Sequence, residues 1–153
     1  MALIEIFIPG TPKPQPRPRA YRRGNHAGVY NPDTADAWKQ AVTAAVTAAV
    51  TEHRPNDLVE GPVSCLIKFV FARPKRLQRQ GDPEGEILHT STPDADNLAK
   101  AVLDVCTGLV WKDDGQVADL YVRKCYAAKS DPRAGARLIV MELGGNSEGI
   151  LKS

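Results

Sequence analysis

The sequence predicts a single two-layer α+β domain with the element order β-α-β-α-β-β. Three observations predict it. The chain has 153 residues, which suits one domain of the usual ~100–200 residues. Two segments repeat apolar residues at helical spacing, and four short runs are rich in β-branched and aromatic residues. Two helices and four strands bury their apolar faces most simply as a helical layer on one sheet. Hydrophobic residues at 42% and charged residues at 25% are ordinary globular usage, which excludes wholesale disorder.

Each element has a local reason. Leu3 to Ile8 is β-branched and aromatic, a strand ended by Pro9-Gly10. Pro9, Pro12, Pro14, Pro16 and Pro18 then forbid helix and central strand alike, so this segment reads as an extended connector, or as a PxxP peptide ligand. It also begins a basic run, Lys13, Arg17, Arg19, Arg22 and Arg23. Asn31-Pro32-Asp33 offers a capping side chain, an early proline and an acid, so the first helix is expected to open there. Its stripe is Trp38, Val42, Val46, Ala49 and Val50, and it should stop near His53, before Pro55. Val63 to Phe71 reads as a buried strand. Arg73 to Glu86 is polar and carries Arg73, Lys75, Arg76 and Arg79, a mobile loop by composition. Pro93 precedes the second helix, whose stripe is Leu98, Ala101, Val102, Val105, Cys106 and Leu109. Asp113-Asp114-Gly115 is a turn, and Val117 to Tyr126 and Arg137 to Leu143 are the last strands. Residues 1–145 form the domain, and 146–153 a frayed tail.

Composition removes several classes of function. No apolar run approaches the ~18 residues of a membrane span, and the N-terminus lacks a secretory pattern. Cys65, Cys106 and Cys125 form no CxxC pair, so they read as core residues of a reduced, cytosolic protein. His26, His53 and His89 are scattered, which argues against zinc. Neither a glycine-rich phosphate loop nor a GxSxG elbow is present, so no organic cofactor is expected. The net charge is +2, yet residues 94–119 carry six acids against Lys100 and Lys112, net −4, leaving +6 elsewhere. An acidic island in a basic surround suits a divalent cation and a phosphate-bearing polymer.

The island is Asp94-Ala95-Asp96-Asn97, Lys100, Asp104 and Asp113-Asp114-Gly115. With a helix starting near Asp96, Asn97, Lys100 and Asp104 share its polar face, and the lysine has a carboxylate one turn above and below. An extended backbone at Asp94 lets Asp94 and Asp96 point the same way. Asp114, on a turn, is expected to close on the same point, giving the few carboxylates that Mg²⁺ prefers. Read differently, Asp94 is a helix cap, Asp113-Asp114-Gly115 a plain turn and Lys100 a surface ion-pair partner. An EF-hand is excluded, because counting from Asp94 its sixth and twelfth positions are Ala99 and Val105.

The run from Pro93 through Asp94-Ala95-Asp96-Asn97, Lys100 and Asp104, followed by Trp111-Lys112-Asp113-Asp114-Gly115-Gln116-Val117, resembles the RusA family of Holliday-junction resolvases. These are small, Mg²⁺-dependent, structure-selective endonucleases common in prophages. Gly10-Thr11-Pro12-Lys13 through Arg17-Pro18-Arg19, ending at Val29-Tyr30-Asn31-Pro32, resembles the family's basic N-terminal region, so the likeness spans roughly Ile4 to Leu143. The resemblance implies that Asp94, Asp96 and Asp114 hold the metal (Mg²⁺, with Mn²⁺ as a substitute) and that Lys100 is the essential base. Asn97, Asp104 and Asp113 would support them.

Residue chemistry and resemblance together point to phosphodiester hydrolysis in branched DNA during recombination and repair. Lys13, Arg17, Arg19, Arg22, Arg23, Arg76 and Arg79 would grip phosphates, and Tyr21 or Phe71 would stack on an opened base or pack. A four-way junction is two-fold symmetric and needs paired cuts, so a homodimer is expected. Two rivals stand beside this reading: a non-catalytic nucleic-acid-binding module, and a metal-dependent nucleotide hydrolase.

Overall fold

The computed structural model describes residues 2–30, 32–53 and 57–144. Its elements in chain order are β1 (Ala2–Pro9), β2 (Arg19–Arg23), β3 (His26–Tyr30), α1 (Asp36–His53), β4 (Val63–Phe71), β5 (Ile87–Leu88), α2 (Ala95–Cys106), β6 (Val117–Tyr126) and β7 (Gly135–Glu142). Short 3₁₀ turns occupy Lys75–Leu77 and Asp114–Gln116. The expected order is present, with a β2–β3 hairpin and the two-residue β5 added to it.

β4 is the most apolar strand, and it takes the centre of a five-stranded sheet ordered β1-β7-β4-β6-β5. It pairs antiparallel with β7 and parallel with β6. Val63, Cys65, Ile67 and Phe69 alternate onto one face and are buried. On that face they join Ile4 and Ile8 of β1, Ala136, Leu138 and Val140 of β7, and the stripes of both helices in one core. The stripe of α1 is Trp38, Val42, Val46 and Ala49, and that of α2 is Leu98, Ala99, Ala101, Val102 and Cys106. The two layers are therefore helices on one sheet face, as the patterns predict.

The cysteines belong to this interior. All three are free and buried, and burial pushes the Cys65 thiol up to about 12. Among the described residues no helix is long and apolar enough to cross a membrane.

Four expectations need correction. α1 begins at Asp36 rather than at Asn31–Asp33, because Pro32 and Asp33 lead into a turn in which the Asp36 N–H donates to the Asp33 carbonyl at 3.1 Å. Asn31, Pro55 and the tail from residue 145 onward lie outside the described residues. Leu109 is not on the helix, since α2 ends at Cys106 and Gly108, at φ +88°, turns the chain back toward Trp111. The basic segment of the connector is not extended coil to its end. Arg19–Arg23 and His26–Tyr30 pair as a hairpin around Gly24-Asn25, with Gly24 at φ +57°. The 73–86 loop, expected to be mobile, is tied to the sheet. Arg73 donates to the carbonyls of Ala127 (2.7 Å), Leu77 (3.0 Å), Pro83 (2.7 Å) and Gly85 (2.6 Å), and more weakly to Glu84 at 3.4 Å. Beside it Val70, Cys125 and Ala127 make a second small core.

β6 is paired with β4 along its length on the inner side. On its outer side, among the described residues, β5 reaches only Cys125 and Tyr126, and the His89 N–H donates to the Lys124 carbonyl at 3.0 Å.

Gly135 marks the closest approach in the sheet. A Cβ there would collide with the Ile8 carbonyl and the Phe7 ring across the β1–β7 pair, whereas one at Gly61 would meet nothing. Gly135→Ala should therefore cost about 1–3 kcal/mol, and Gly61→Ala should stay within about 0.5 kcal/mol. Thermal denaturation of the two variants checks this, and equal melting temperatures would remove the steric account.

Candidate active site and nucleic-acid interface

Asp94 is the N-cap residue of α2, with extended backbone at φ −71° and ψ 144°. Its carboxylate makes no capping hydrogen bond, so the plain helix-cap reading is not met. Asp96 follows in the first turn, and Asn97, Lys100 and Asp104 continue along the helix, the two charged ones exposed. Among the described residues no ion pair joins Lys100 to Asp96 or Asp104, although the i, i+4 spacing permits one.

Four bonds fix the start of α2. The Lys124 ammonium, from β6, donates to the carbonyls of Ser91 at 2.6 Å and Pro93 at 2.8 Å, just ahead of Asp94. The Ser91 N–H donates to His89 Nδ1 at 3.1 Å, and the His89 ring is buried, stacked on Tyr126 and edge-on to Phe71. Phe71 is thus packing rather than a platform for a base. From the other side, the Gln15 N–H donates to the Asn97 carbonyl at 3.0 Å. That bond ties the proline-rich basic segment to the acidic helix start.

Asp114 sits elsewhere. Its 3₁₀ turn is built by a capping box in which Asp113 Oδ1 accepts from the Gly115 N–H at 3.2 Å and Gln116 Oε1 accepts from the Asp113 N–H at 2.9 Å. Gln116 also donates to the carbonyls of Val59 and Gly61, anchoring the turn at the start of β4. The Gly115 N–H, and after it the Asp114 side chain, hold the Asp113 carboxyl below the ordinary carboxylate range. Asp113 is therefore a cap, and Asp114, exposed as Asp113 is, has no capping duty.

The expectation that Asp114 closes on Asp94 and Asp96 is not met within one chain. α2 runs back along β6, with Asp94 beside Lys124 at one end and Thr107, Trp111 and Gln116 at the other. At ~1.5 Å per residue the helix holds its two ends about 20 Å apart. Among the described residues no three His, Cys, Asp or Glu side chains gather closely enough to hold a metal ion.

The basic residues collect on two exposed features. Lys13 and Arg17 lie on the connector, and Arg19, Arg22 and Arg23 on β2, every residue of which is exposed. By register Arg19, Tyr21 and Arg23 share a hairpin face with Tyr30 and His26. The Tyr21 and Tyr30 ring centroids are 6.2 Å apart, and both rings are exposed. Gly28 permits this, because a Cβ there would meet the Tyr21 ring at 2.8 Å. Arg76 and Arg79 are exposed on the 73–86 loop, whereas Arg73 is committed to its carbonyls.

Residues 9–138 match the family described as Endodeoxyribonuclease RusA. The chain belongs to the RusA endodeoxyribonuclease family. It is also 33% identical over 138 residues to the uncharacterised protein YqaN of Bacillus subtilis (strain 168), covering 87% of this chain and 93% of that one. RusA-family nucleases depend in general on divalent metals. In donor chemistry this chain fits such an ion, since Asp94, Asp96 and Asp114 are exposed hard oxygen donors outside the ion pairs described. In position, one chain brings together at most two of the three.

Sequence spacing assigns no role to Lys124, Gln15 or His89. The available signal is Lys124 itself, a lysine in period with Leu120, Val122 and Tyr126 on the helix-facing side of β6. The scatter of the histidines argues only against a metal ligand at His89, and the structure makes it a core residue that accepts a backbone N–H.

Burial first, then the Lys124 and Arg76 charges, lower the His89 pKa from its ordinary 6.5. The folded protein binds this proton less readily than the unfolded chain, so the stability His89 contributes is present above pH 6.5 and is lost as pH falls below it. Between pH 7 and pH 5 the melting temperature should fall more steeply for wild type than for His89→Gln. Parallel profiles would remove the titration.

Proposed function

We propose that this chain is a Mg²⁺-dependent endonuclease that resolves four-way DNA junctions as a homodimer, by paired phosphodiester hydrolysis. The reading rests most on one observation. Asp94 and Asp96 stand at a helix start to which the basic segment is bonded through Gln15 and Asn97, so phosphate-holding and acid chemistry share one place.

Asp94, Asp96 and Asp114 would hold the divalent ion, which when bound polarises the scissile phosphate and lowers the pKa of an attacking water. Lys100, one turn beyond Asp96 and in no ion pair among the described residues, puts an ammonium where charge develops on the phosphate oxygens. Lys124 positions Asp94 by fixing the two carbonyls ahead of it. Lys13, Arg17, Arg19, Arg22, Arg23, Arg76 and Arg79 hold phosphates without reading bases. Tyr21 and Tyr30, interleaved with arginines on one hairpin face, offer stacking surface to bases opened at the branch point.

The distance of Asp114 from Asp94 and Asp96 favours a second reading, a non-catalytic junction-binding module. Cleavage of a labelled four-way junction with and without Mg²⁺ decides between the two. Asp96→Asn should lower cleavage by more than the ~100-fold that a merely supporting residue costs, while junction binding and folding persist. Retained cleavage would remove the catalytic assignment.

Replacing Arg19 and Arg23 by alanine should weaken binding to all junction sequences alike. The slope of log K against log[salt] should shrink by roughly 0.9 for each duplex phosphate that is no longer neutralised. Binding isotherms at several salt concentrations measure this, and an unchanged slope would leave the hairpin without a DNA role.

A further inference from the structure

We infer that the sheet face turned away from the helices is a docking surface for an acidic peptide of a partner protein, one that carries apolar side chains beside its carboxylates. The inference stands apart from the nuclease reading, which gives the residues of this face no role.

Both helices pack on one face of the sheet, and alternation along each strand puts the remaining side chains on the other. There the register sets Phe7, Arg137, Lys68 and Arg123 in one row across β1, β7, β4 and β6. The next row along the strands is Glu5, Ile139, Leu66 and Tyr121. Arg137 and Arg123 are exposed, and Leu66, Tyr121 and Ile139 are half-buried. Their helix-side neighbours Ile67 and Leu138 are fully covered.

The first row is costly as a piece of sheet. Neighbouring strands stand about 4.8 Å apart, so Arg137, Lys68 and Arg123 crowd into roughly 10 Å. Like charges directly opposite one another destabilise a strand pair. Glu5 pairs with Arg137, and Glu86 with Lys68 at 2.9 Å, so two acids answer a row of three cations. The repulsion is reduced rather than cancelled.

Two hollows lie on this row. One of about 440 Å³ is lined by Leu66, Tyr121 and Ile139 together with all three cations. The other, about 430 Å³, shares Lys68 and Arg137 and adds Phe7, Val70 and Arg133. Their linings hold four cations, Lys68, Arg123, Arg133 and Arg137, against the acids Glu86 and Asp131. An excess of positive charge beside an aliphatic floor suits a ligand that is both anionic and apolar.

The floor selects the kind of ligand. Bases of a nucleic acid stack on aromatic rings, but the Arg133 guanidinium already lies over the Phe7 ring at 4.7 Å. Leu66, Ile139 and Val70 make the rest aliphatic around Tyr121, which suits apolar side chains. A second copy of this face would bring its own cations against these, an opposition of like charges. An extended peptide meets both demands. Its side chains repeat on one side every two residues, about 7 Å, and the two rows are the same two residues apart. A carboxylate on Arg137, Lys68 and Arg123 therefore places the side chain two positions on over Leu66, Tyr121 and Ile139.

Fluorescence anisotropy of the full chain tests this, with a labelled peptide whose glutamates and leucines stand two positions apart. Wild type should bind it, and the same peptide with glutamine for glutamate should bind about tenfold more weakly. Arg123→Glu leaves the ion pairs of Lys68 and Arg137 in place and should weaken the glutamate peptide by a similar factor. Arg22→Glu, on the hairpin, should leave its binding unchanged, and thermal denaturation checks that both variants fold. No binding to wild type would overturn the surface, as would binding that survives Arg123→Glu. An equal loss in Arg22→Glu would mark a general attraction to a basic chain and overturn it too. A single-stranded oligonucleotide that displaces the peptide, and itself loses affinity in Arg123→Glu, would make this a nucleic-acid face and overturn the peptide.

Discussion

β4 and β6 run parallel, and a parallel pair cannot be closed by a tight turn. The chain leaves the far end of β4 at Phe71 and must return to the near end before Val117 can begin pairing. Everything between is the return path: the Arg73 loop, β5, α2 and the Asp114 turn. All the candidate catalytic acids lie on this one crossover. Its geometry explains why these acids stand in two places, because a helix that carries the chain back along a strand necessarily puts its first and last residues at opposite ends of the sheet.

The two ends are held by different means. At the Asp94 end, a buried histidine, a lysine reaching under the loop and one backbone bond from the connector converge on a few residues. At the Asp114 end, Gln116 bonds four backbone groups while Trp111 fills the space beneath, its indole N–H donating to Thr107. Neither device relies on the candidate metal-binding carboxylates Asp94, Asp96 and Asp114.

Much of this is legible in the sequence, for identifiable reasons. β4 and β6 can be read to their terminal residues because long β-branched and aromatic runs leave few alternatives. The stripe of α1 is equally plain, while its start is obscured because Asp33, expected in the first turn of the helix, belongs to the turn ahead of it. The hairpin is hidden by the prolines before it, although Gly24-Asn25 between two short runs is a turn signal in its own right. β5 has two residues and no pattern to read. The position of Asp114 escapes for a deeper reason. Spacing along a chain reports which residues share a face of one element, and it is silent on which end of the sheet the next element enters.

The Arg73 loop carries a consequence for how such a protein can diversify. One guanidinium gathers the loop through main-chain carbonyls alone, and Lys129 adds a bond to the Arg79 carbonyl from the sheet side. Main-chain carbonyls are common to every residue type. The side chains at Lys75, Arg76 and Gln80 are therefore interchangeable without reshaping the segment that displays them. The fold separates the frame of the loop from its lettering, so a lineage can rewrite the charge this surface displays and leave the architecture untouched.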